Sequence, residues 1–300
     1  MDNVGFVGAS GLMGRGMAQN IRKAGFPLAY TVHRTPVSDL DEAGATRAAS
    51  NADLGADCDV VVICVTAAED VDRVVTGPEG LLARPKPGLV IIDASTSEPS
   101  TTLRLAEAAA SRGAAVIDAP LTRGPKEAAE GRLNSLVGAD DATFERVRPV
   151  IESYSENVFR TGPVGSGHTI KLLNNFCVQA AATALSEAFA VAATVGADPQ
   201  TLVDVLGAGM FDNQLLAIME RTLHGDFGGM TFALANARKD VRYYTRLAGE
   251  HGVPAVVGDG VHESLTLACA MGVGQEFVPS MVKGQALLNS VEITAGHAAR

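Results

Sequence analysis

Short apolar runs alternate with longer amphipathic segments in the first half of the chain. The runs are apolar at consecutive positions, which is typical of parallel strands that are covered by helices on both faces. The predicted strands are residues 3–7, 28–32, 60–65, 89–93 and 115–118. The predicted crossover helices are residues 16–24, 68–75 and 101–112. This order predicts an α/β fold with a doubly wound parallel sheet.

The pattern becomes helical throughout after the Gly- and Pro-containing run at residues 162–167. Residues 169–195 are rich in Ala and contain neither Gly nor Pro, which predicts a helix of about seven turns. Further helices are predicted at residues 199–206, 214–222, 234–251 and 261–271. We therefore expect an α/β domain over residues 1–164 and an all-α domain over residues 165–300, joined by the long helix.

The composition of the chain narrows the range of its partners. Its 300 residues, 47% of them hydrophobic, are sufficient for two buried cores. The 34 acidic and 24 basic residues give a formal charge of −10, which argues against binding to a nucleic acid backbone over a broad surface. A small anionic ligand would instead need a local basic pocket that works against this overall field.

No pattern in the sequence indicates a metal site, a disulfide framework or a targeting segment. The four Cys have no CxxC spacing and the six His have no metal-ligand spacing. The N-terminus has no signal-like segment, and Asn174, Asn175 and Glu187 interrupt the longest apolar stretch. We therefore expect reduced cysteines, no metal, no membrane span and a cytoplasmic location.

A glycine-rich turn follows the first predicted strand and precedes a predicted helix. Glycines at such a turn let the backbone bend sharply and bring its amides close to a pyrophosphate. The turn has the spacing GxxGxxG, one residue more than the common dinucleotide pattern, so a glycine-rich turn without a ligand is the alternative. The expected cofactor contacts are Gly8, Ser10, Gly11, Leu12 and Met13.

The end of the second predicted strand indicates which nicotinamide cofactor is bound. An acidic residue at this place would bind the ribose 2′-hydroxyl of NAD. The chain has no acid here and instead has Arg34 and Thr35, which suit a 2′-phosphate. We therefore expect NADP to be preferred over NAD, unless Arg34 is simply a solvated residue at the strand end.

Several ordered motifs span nearly the whole chain. Besides the glycine turn they are Asp93-Ala94-Ser95-Thr96-Ser97-Glu98-Pro99, Asp118-Ala119-Pro120, Gly131-Arg132-Leu133, Gly165-Ser166-Gly167-His168-Thr169-Ile170-Lys171-Leu172-Leu173-Asn174-Asn175 and Lys239-Asp240. With these motifs the chain resembles the β-hydroxyacid dehydrogenases, which include 3-hydroxyisobutyrate dehydrogenases, tartronate semialdehyde reductases and sulfolactaldehyde reductases. The resemblance implies a Rossmann domain followed by a helical domain. It also implies hydride transfer between NAD(P) and a small β-hydroxy acid or its semialdehyde.

The resemblance also assigns roles to individual residues. The lysine of the family matches Lys171, a general acid or base, and the following asparagines match Asn174 and Asn175, which contact the substrate. Lys171 and Asn175 are four residues apart and would share one helix face. The residues that the resemblance places near the cofactor are Val65, Thr66, Thr96 and Lys239.

The family holds the substrate carboxylate with a Ser-Gly-Gly sequence after the Asp-Ala-Pro motif. This chain has Thr122, Arg123 and Gly124 there. Thr122 replaces the serine hydroxyl and Gly124 is expected to keep its amide accessible. Arg123 adds a cation, as in the sulfolactaldehyde reductases, and so favours a strongly anionic head group. The alternative is that Arg123 turns outward or pairs with Glu127.

Two other functions are compatible with this architecture. Imine reductases share it, but these relatives tend to replace the catalytic lysine, which is retained here as Lys171. A cofactor-binding module without catalysis is disfavoured by the intact Lys171 and Asn175. The Ala-rich, apolar helical half predicts a homodimer or homotetramer, because its long helices need partner surface.

Overall fold

The computed structural model describes residues 1–32 and 35–296. The chain forms two compact units, Met1–Lys171 and Leu172–Arg300. The boundary between them falls inside one long helix, which begins in the first unit and continues into the second.

The first unit contains a nine-stranded sheet. The strands are β1 (Val4–Val7), β2 (Leu28–Thr31), β3 (Thr46–Ala48), β4 (Val60–Ile63), β5 (Val90–Asp93), β6 (Ala115–Asp118), β7 (Leu121–Thr122), β8 (Leu133–Gly138) and β9 (Ser155–Gly162). Their order is β3-β2-β1-β4-β5-β6-β8-β7, and β9 also pairs with β8. The strands from β3 to β6 are parallel, whereas β8 is antiparallel to β6 and β7. The predicted doubly wound sheet is therefore confirmed and has a mixed extension at one edge.

Helices cover both faces of this sheet. They are α1 (Leu12–Lys23), α2 (Ser38–Glu42), α3 (Asn51–Asp57), α4 (Ala68–Thr76), α5 (Pro99–Ala110), α6 (Pro125–Glu130) and α7 (Asp141–Glu152). Two separate apolar clusters fill the space between helices and sheet. In β4, Val60 and Val62 belong to one cluster, and Val61 and Ile63 to the other. Because alternate residues of a strand point to opposite faces, this burial explains why the strand is apolar at every position.

The second unit is helical. Its helices are α8 (Ser166–Thr194), which starts in the first unit, α9 (Pro199–Gly207), α10 (Gln214–Glu220), α11 (Leu234–Glu250), α12 (Val256–Ala268) and α13 (Met281–Asn289). The side chains of Asp198 and Asn213 accept hydrogen bonds from first-turn amides of α9 and α10 and so fix where these helices begin. The long helix, the all-α second half and its predicted helices are confirmed.

By length and composition alone, the long helix α8 could cross a membrane. Half of its most apolar stretch is buried inside the protein. The core helices of soluble proteins share this length and composition.

Candidate active site

The glycine-rich turn has a geometry that only glycine can adopt at two positions. Gly8 has a φ of 95°, and a Cβ there would lie 2.1 Å from the carbonyl oxygen of Cys64. A Cβ on Gly14 would lie 2.3 Å from the Gly8 carbonyl oxygen. The Gly11 amide donates to the Gly8 carbonyl at 3.0 Å, which closes a four-residue turn. The extra residue of the GxxGxxG spacing therefore lies within this turn, before α1 begins.

This turn leaves the start of α1 suited to an anion. Gly11 is the N-cap and has no side chain that could cap the helix, and the Arg15 amide makes the first intrahelical bond, to Gly11. The amides of Leu12, Met13 and Gly14 therefore precede the intrahelical ladder. The positive end of the helix dipole adds to their attraction for phosphate. The close approach at Gly8 and Gly14 and these amides fit the pyrophosphate of a dinucleotide.

A buried polar network lies at the carboxyl ends of the neighbouring strands β4 and β5. The Ser95 hydroxyl accepts a hydrogen bond from the Val65 amide at 3.0 Å, and the Ser95 amide donates to Asp93 at 2.9 Å. Burial raises the pKa of Asp93, and the nearby His168 partly offsets this shift. The network holds the backbone beside Thr66 and Thr96 at the sheet edge where ligands of doubly wound folds bind.

The start of α8 is anchored to the sheet by Asp118, the last residue of β6. The fully buried carboxylate accepts hydrogen bonds from the amides of Gly165 and His168, both at 2.7 Å. The ring of His168 is also buried. Its Nε2 lies 3.2 Å from the Ser95 carbonyl oxygen and its Nδ1 lies 2.7 Å from the Thr102 hydroxyl. These contacts tie the helix that carries Lys171 to the turn that carries Thr96.

Two glycines make this anchor possible. A Cβ on Gly167 would lie 2.2 Å from the Leu136 carbonyl oxygen and 2.9 Å from the Asp118 carboxylate. A Cβ on Gly138 would lie 2.5 Å from the other oxygen of Asp118. The helix start can approach the sheet only because both residues lack a side chain.

Asn175 is held by a buried carboxylate in the second unit. Its side-chain amide donates to Asp240 at 2.6 Å, and both residues are buried. The ammonium of Lys239 lies 2.8 Å from Asp240 and 4.7 Å from the centre of the Tyr243 ring. Lys171 is half-buried and lies one helical turn before Asn175 on α8. Asp240 therefore orients the Asn175 amide, whose oxygen accepts a hydrogen bond from the Asn174 side-chain amide at 3.2 Å.

The segment after β7 differs from the expectation at two points. Arg123 has a φ of 74° and is exposed, and its guanidinium pairs with Glu156 and with the Arg132 carbonyl oxygen, not with Glu127. This ion pair lowers the pKa of Glu156. The Gly124 amide is not accessible, since it donates to the Glu127 carboxylate at 3.0 Å at the start of α6. Thr122, the third expected substrate contact of this segment, accepts a hydrogen bond from the Asn134 side-chain amide at 2.8 Å.

The structure distributes the predicted site residues over both units. The first unit brings together Gly8, Ser10, Gly11, Leu12 and Met13, and it carries Val65, Thr66, Thr96 and the segment from Thr122 to Gly124. The second unit carries Asn174, Asn175 and Lys239. Thr35 is exposed, and Arg34 lies outside the described residues. Within residues 1–32 and 35–296, no group of three His, Cys, Asp or Glu side chains could hold a metal ion.

The sequence interpretation did not assign roles to several residues that shape the site. These residues are Asp93, Ser95, Asp118, Asn134 and Asn157. Three of them lie inside the recognised motifs, so the motifs were the available signal. Asn134 and Asn157 gave no signal of this kind.

Comparison with known proteins covers both units. A family model described as the NAD binding domain of 6-phosphogluconate dehydrogenase matches residues 3–162, and a model described as NAD-binding of NADP-dependent 3-hydroxyisobutyrate dehydrogenase matches residues 165–283. The 2-(hydroxymethyl)glutarate dehydrogenase of Eubacterium barkeri is 30% identical over 98% of both chains. The 3-hydroxyisobutyrate dehydrogenase of Pseudomonas aeruginosa is 35% identical over 69% of both chains. A solved structure of the Mycobacterium tuberculosis 3-hydroxyisobutyrate dehydrogenase with L-serine has a TM-score of 0.82 at 25% identity and covers 94% of this chain and 98% of its own.

Proposed function

The chain belongs to the β-hydroxyacid dehydrogenase family, and we propose that it is an NADP-preferring member that interconverts a small β-hydroxy acid and its semialdehyde. The relatives are named as dehydrogenases of hydroxy acids and both matching family models are described as NAD-binding, so the class of reaction follows from the family. The observation that carries the residue assignment is the pair Lys171 and Asn175 on one face of α8, with Asn175 bonded to the buried Asp240. We further propose that residues 1–164 bind the cofactor and residues 165–300 serve the substrate and oligomerisation.

Lys171 is the proposed general acid and base. A bound nicotinamide supplies the hydride acceptor or donor. In the reductive direction the Lys171 ammonium gives a proton to the carbonyl oxygen as that oxygen gains negative charge, and in the oxidative direction the neutral amine takes the hydroxyl proton back. Through the second N–H of its side-chain amide, Asn175 holds the same oxygen or a neighbouring hydroxyl group in place. Its orientation is set by Asp240, which accepts from its amide nitrogen.

The decisive experiment is steady-state turnover of a panel of small acids. The panel contains 3-hydroxyisobutyrate, 2-(hydroxymethyl)glutarate and L-serine with NADP and NAD, and tartronate, methylmalonate and succinate semialdehydes and sulfolactaldehyde with NADPH and NADH. Lys171→Ala is expected to lower kcat by about 10²–10⁴-fold with cofactor affinity unchanged, which is the usual contribution of a general acid or base. The exposed Lys23, at the far end of α1, gives the matched control Lys23→Ala. Turnover by Lys171→Ala at the wild-type rate would exclude this role.

The cofactor preference rests on Arg34 and Thr35. A guanidinium and a hydroxyl suit the 2′-phosphate of NADP, and no acid in this run would repel it. We expect Arg34→Ala to lower the preference for NADPH over NADH by about 10- to 100-fold, the equivalent of one hydrogen bond to a charged group. An unchanged ratio of kcat/KM values for the two cofactors would contradict the assignment.

The substrate carboxylate is proposed to contact Thr122, with Arg123 beside it. Arg123 can reach an anion only by exchanging its ion pair with Glu156. A substrate with a second carboxylate or a sulfonate would make that exchange favourable, whereas a monocarboxylate would leave it in place. Arg123→Gly should therefore raise the KM of a dianionic substrate and leave that of 3-hydroxyisobutyrate nearly unchanged. Equal changes in the KM of both substrates would show that Arg123 does not bind a second anionic group.

Imine reduction and binding without catalysis are the competing functions. The retained Lys171 argues against the first, and reduction of cyclic imines faster than of any semialdehyde would revive it. Cofactor binding without turnover anywhere on the panel would favour the second.

The oligomeric state is proposed from the apolar surface of the second unit. Two neighbouring grooves between α8 and its partner helices are lined by exposed Val191, Val195, Val205, Val257 and Leu288. An apolar surface of this kind is typical of an interface, and closed symmetric homo-oligomers are the commonest way to cover it. We expect a dimer or tetramer of the 30.9 kDa chain, acting in the cytoplasm. A monomer mass in light scattering at micromolar concentration would refute this.

A further inference from the structure

Three polar side chains form a row across three strands of the first unit. The register pairs Thr122 on β7 with Asn134 on β8, and Asn134 with Asn157 on β9. The Asn157 amide nitrogen donates to the Asn134 carbonyl oxygen at 2.9 Å, and the Asn134 amide nitrogen donates to the Thr122 hydroxyl oxygen at 2.8 Å. All three residues are half-buried. The row is therefore a continuous chain of hydrogen bonds that ends on Thr122.

A bulge in β9 produces this register. Leu133 pairs with Ser155 and the next residue, Asn134, pairs with Asn157, so Glu156 has no partner opposite it. The unpaired Glu156 takes the guanidinium of Arg123. The bulge thus aligns the two asparagines with Thr122 and draws the neighbouring arginine to the edge of the sheet.

The direction of this chain of hydrogen bonds determines whether the Thr122 hydroxyl donates or accepts. A carboxamide has a donor end and an acceptor end, and Asn134 uses its acceptor end for Asn157 and its donor end for Thr122. The Thr122 oxygen is therefore an acceptor within the row. Within the described residues its hydroxyl donates no hydrogen bond, so its single proton is available to a further group. A carboxylate, which can only accept, is the chemical group that suits such a donor.

We propose that Asn134 and Asn157 are positioning residues that fix the Thr122 hydroxyl as a hydrogen-bond donor to the carboxylate of the substrate. This inference rests on the proposed function, in which Thr122 contacts that carboxylate. It assigns substrate selectivity to two side chains that do not touch the substrate.

Reversing the direction of the hydrogen bond between Asn134 and Thr122 tests the proposal. Asn134→Asp keeps the shape of the side chain but removes its donor, so the Thr122 hydroxyl donates to the new carboxylate and is lost to the substrate. We expect the substrate KM to rise about 10- to 100-fold, the equivalent of a hydrogen bond to a charged group, with kcat and the cofactor KM nearly unchanged. Asn134→Ala removes the bond to Thr122 without reversing it and should raise the substrate KM only a few-fold.

Two further variants separate hydrogen-bond direction from charge repulsion. In the Thr122→Ala background, Asn134→Asp should have little additional effect, because the hydroxyl that it redirects is absent. Asn157→Asp requires the Asn134 amide to turn, so it should reproduce the rise in substrate KM from a position one strand farther away. It also serves as the second test if Asn134→Asp does not fold, which thermal unfolding and cofactor titration would show.

The possible outcomes are distinguishable from failure of the proposed function. Absence of turnover by the wild-type protein on the whole panel would refute the proposed function. Turnover by the wild type with an unchanged KM in Thr122→Ala would overturn the inference while leaving the activity in place. An active wild type in which Asn134→Asp and Asn134→Ala behave alike, or in which Asn134→Asp acts equally with and without Thr122, would also overturn it.

Discussion

The anchor at the start of α8 gives the most demanding prediction. Asp118 is fully buried, and its two oxygens accept separate hydrogen bonds from the amides of Gly165 and His168, both at 2.7 Å. Asp118→Asn keeps one acceptor and places an NH₂ group against the other backbone N–H. The variant thus loses one charge-assisted hydrogen bond, weakens the other and leaves a buried donor without a partner.

The expected cost follows from these losses. A hydrogen bond to a charged group contributes about 1.5–3 kcal/mol, and an unsatisfied buried donor costs about 1–3 kcal/mol, so the free energy of unfolding should fall by about 4 kcal/mol. For the unfolding of the first unit, Met1–Lys171, that corresponds to a melting temperature lower by roughly 8–16 °C. The start of α8 should loosen as well, so kcat should fall because Lys171 follows His168 by three positions on this helix.

Differential scanning calorimetry and steady-state kinetics together check this prediction. Asp140→Asn is the matched control, because Asp140 accepts from the Thr143 amide at the exposed start of α7. Asn is about as good as Asp at such a cap, so the control should change the free energy of unfolding by only a few tenths of a kcal/mol. If Asp118→Asn has the same melting temperature as Asp140→Asn and keeps the wild-type kcat, Asp118 does not anchor the helix.

Three further predictions concern single groups. Asp240→Ala should lower kcat with the cofactor KM unchanged, because it removes the acceptor that orients Asn175. The control is Asp259→Ala, at an exposed position, and the same kcat in both variants would show that Asp240 does not orient Asn175. Burial raises the pKa of Asp93 in the folded state above its unfolded value, so the stability of the wild type should decline as the pH rises through the folded pKa. Asp93→Asn should remove that decline in urea unfolding followed from pH 4 upward, starting near the ordinary carboxyl value of 3.8, and an identical pH dependence would show that Asp93 does not cause it. Burial raises the pKa of the Cys58 thiol to about 11 and that of Cys64 to about 12, so the exposed Cys177 should react with a thiol reagent at pH 8 well before these two, as followed by mass spectrometry; prior labelling of Cys58 or Cys64 would contradict this order.

The strands that the sequence predicts, β1, β2, β4, β5 and β6, are parallel strands in the interior of the sheet. In β4 every residue contacts one of two cores, so the apolar run is continuous and visible in the sequence. The missed strands lie at the edges of the sheet or in its antiparallel extension. The strand β3 is mostly exposed, and β9 mixes exposed and half-buried polar residues. Their pairing depends on neighbours that are distant in sequence, which local periodicity does not report.

The residue types of the site were predictable, but most of their partners were not. Asn175 and Asp240 are 65 positions apart, and Asp118 and His168 are 50 positions apart. The partner of Arg123 could not be predicted either. The sequence favours a substrate contact for this residue, whereas the structure pairs it with Glu156. That pair depends on a bulge in β9, and no local pattern in the sequence marks the bulge.

Several motif residues that identify the family act on the position of α8 and not on the reacting atoms. Asp118 bonds to the first turn of the helix, and Gly138 and Gly167 leave room for it. The ring of His168 joins this turn to Ser95. In a relative that has the lysine but lacks the Asp118 anchor, the start of the helix that carries the lysine would not be fixed to the sheet. The presence of the lysine alone is therefore weak grounds for assigning dehydrogenase activity, and the lysine together with the Asp118 anchor is the stronger criterion.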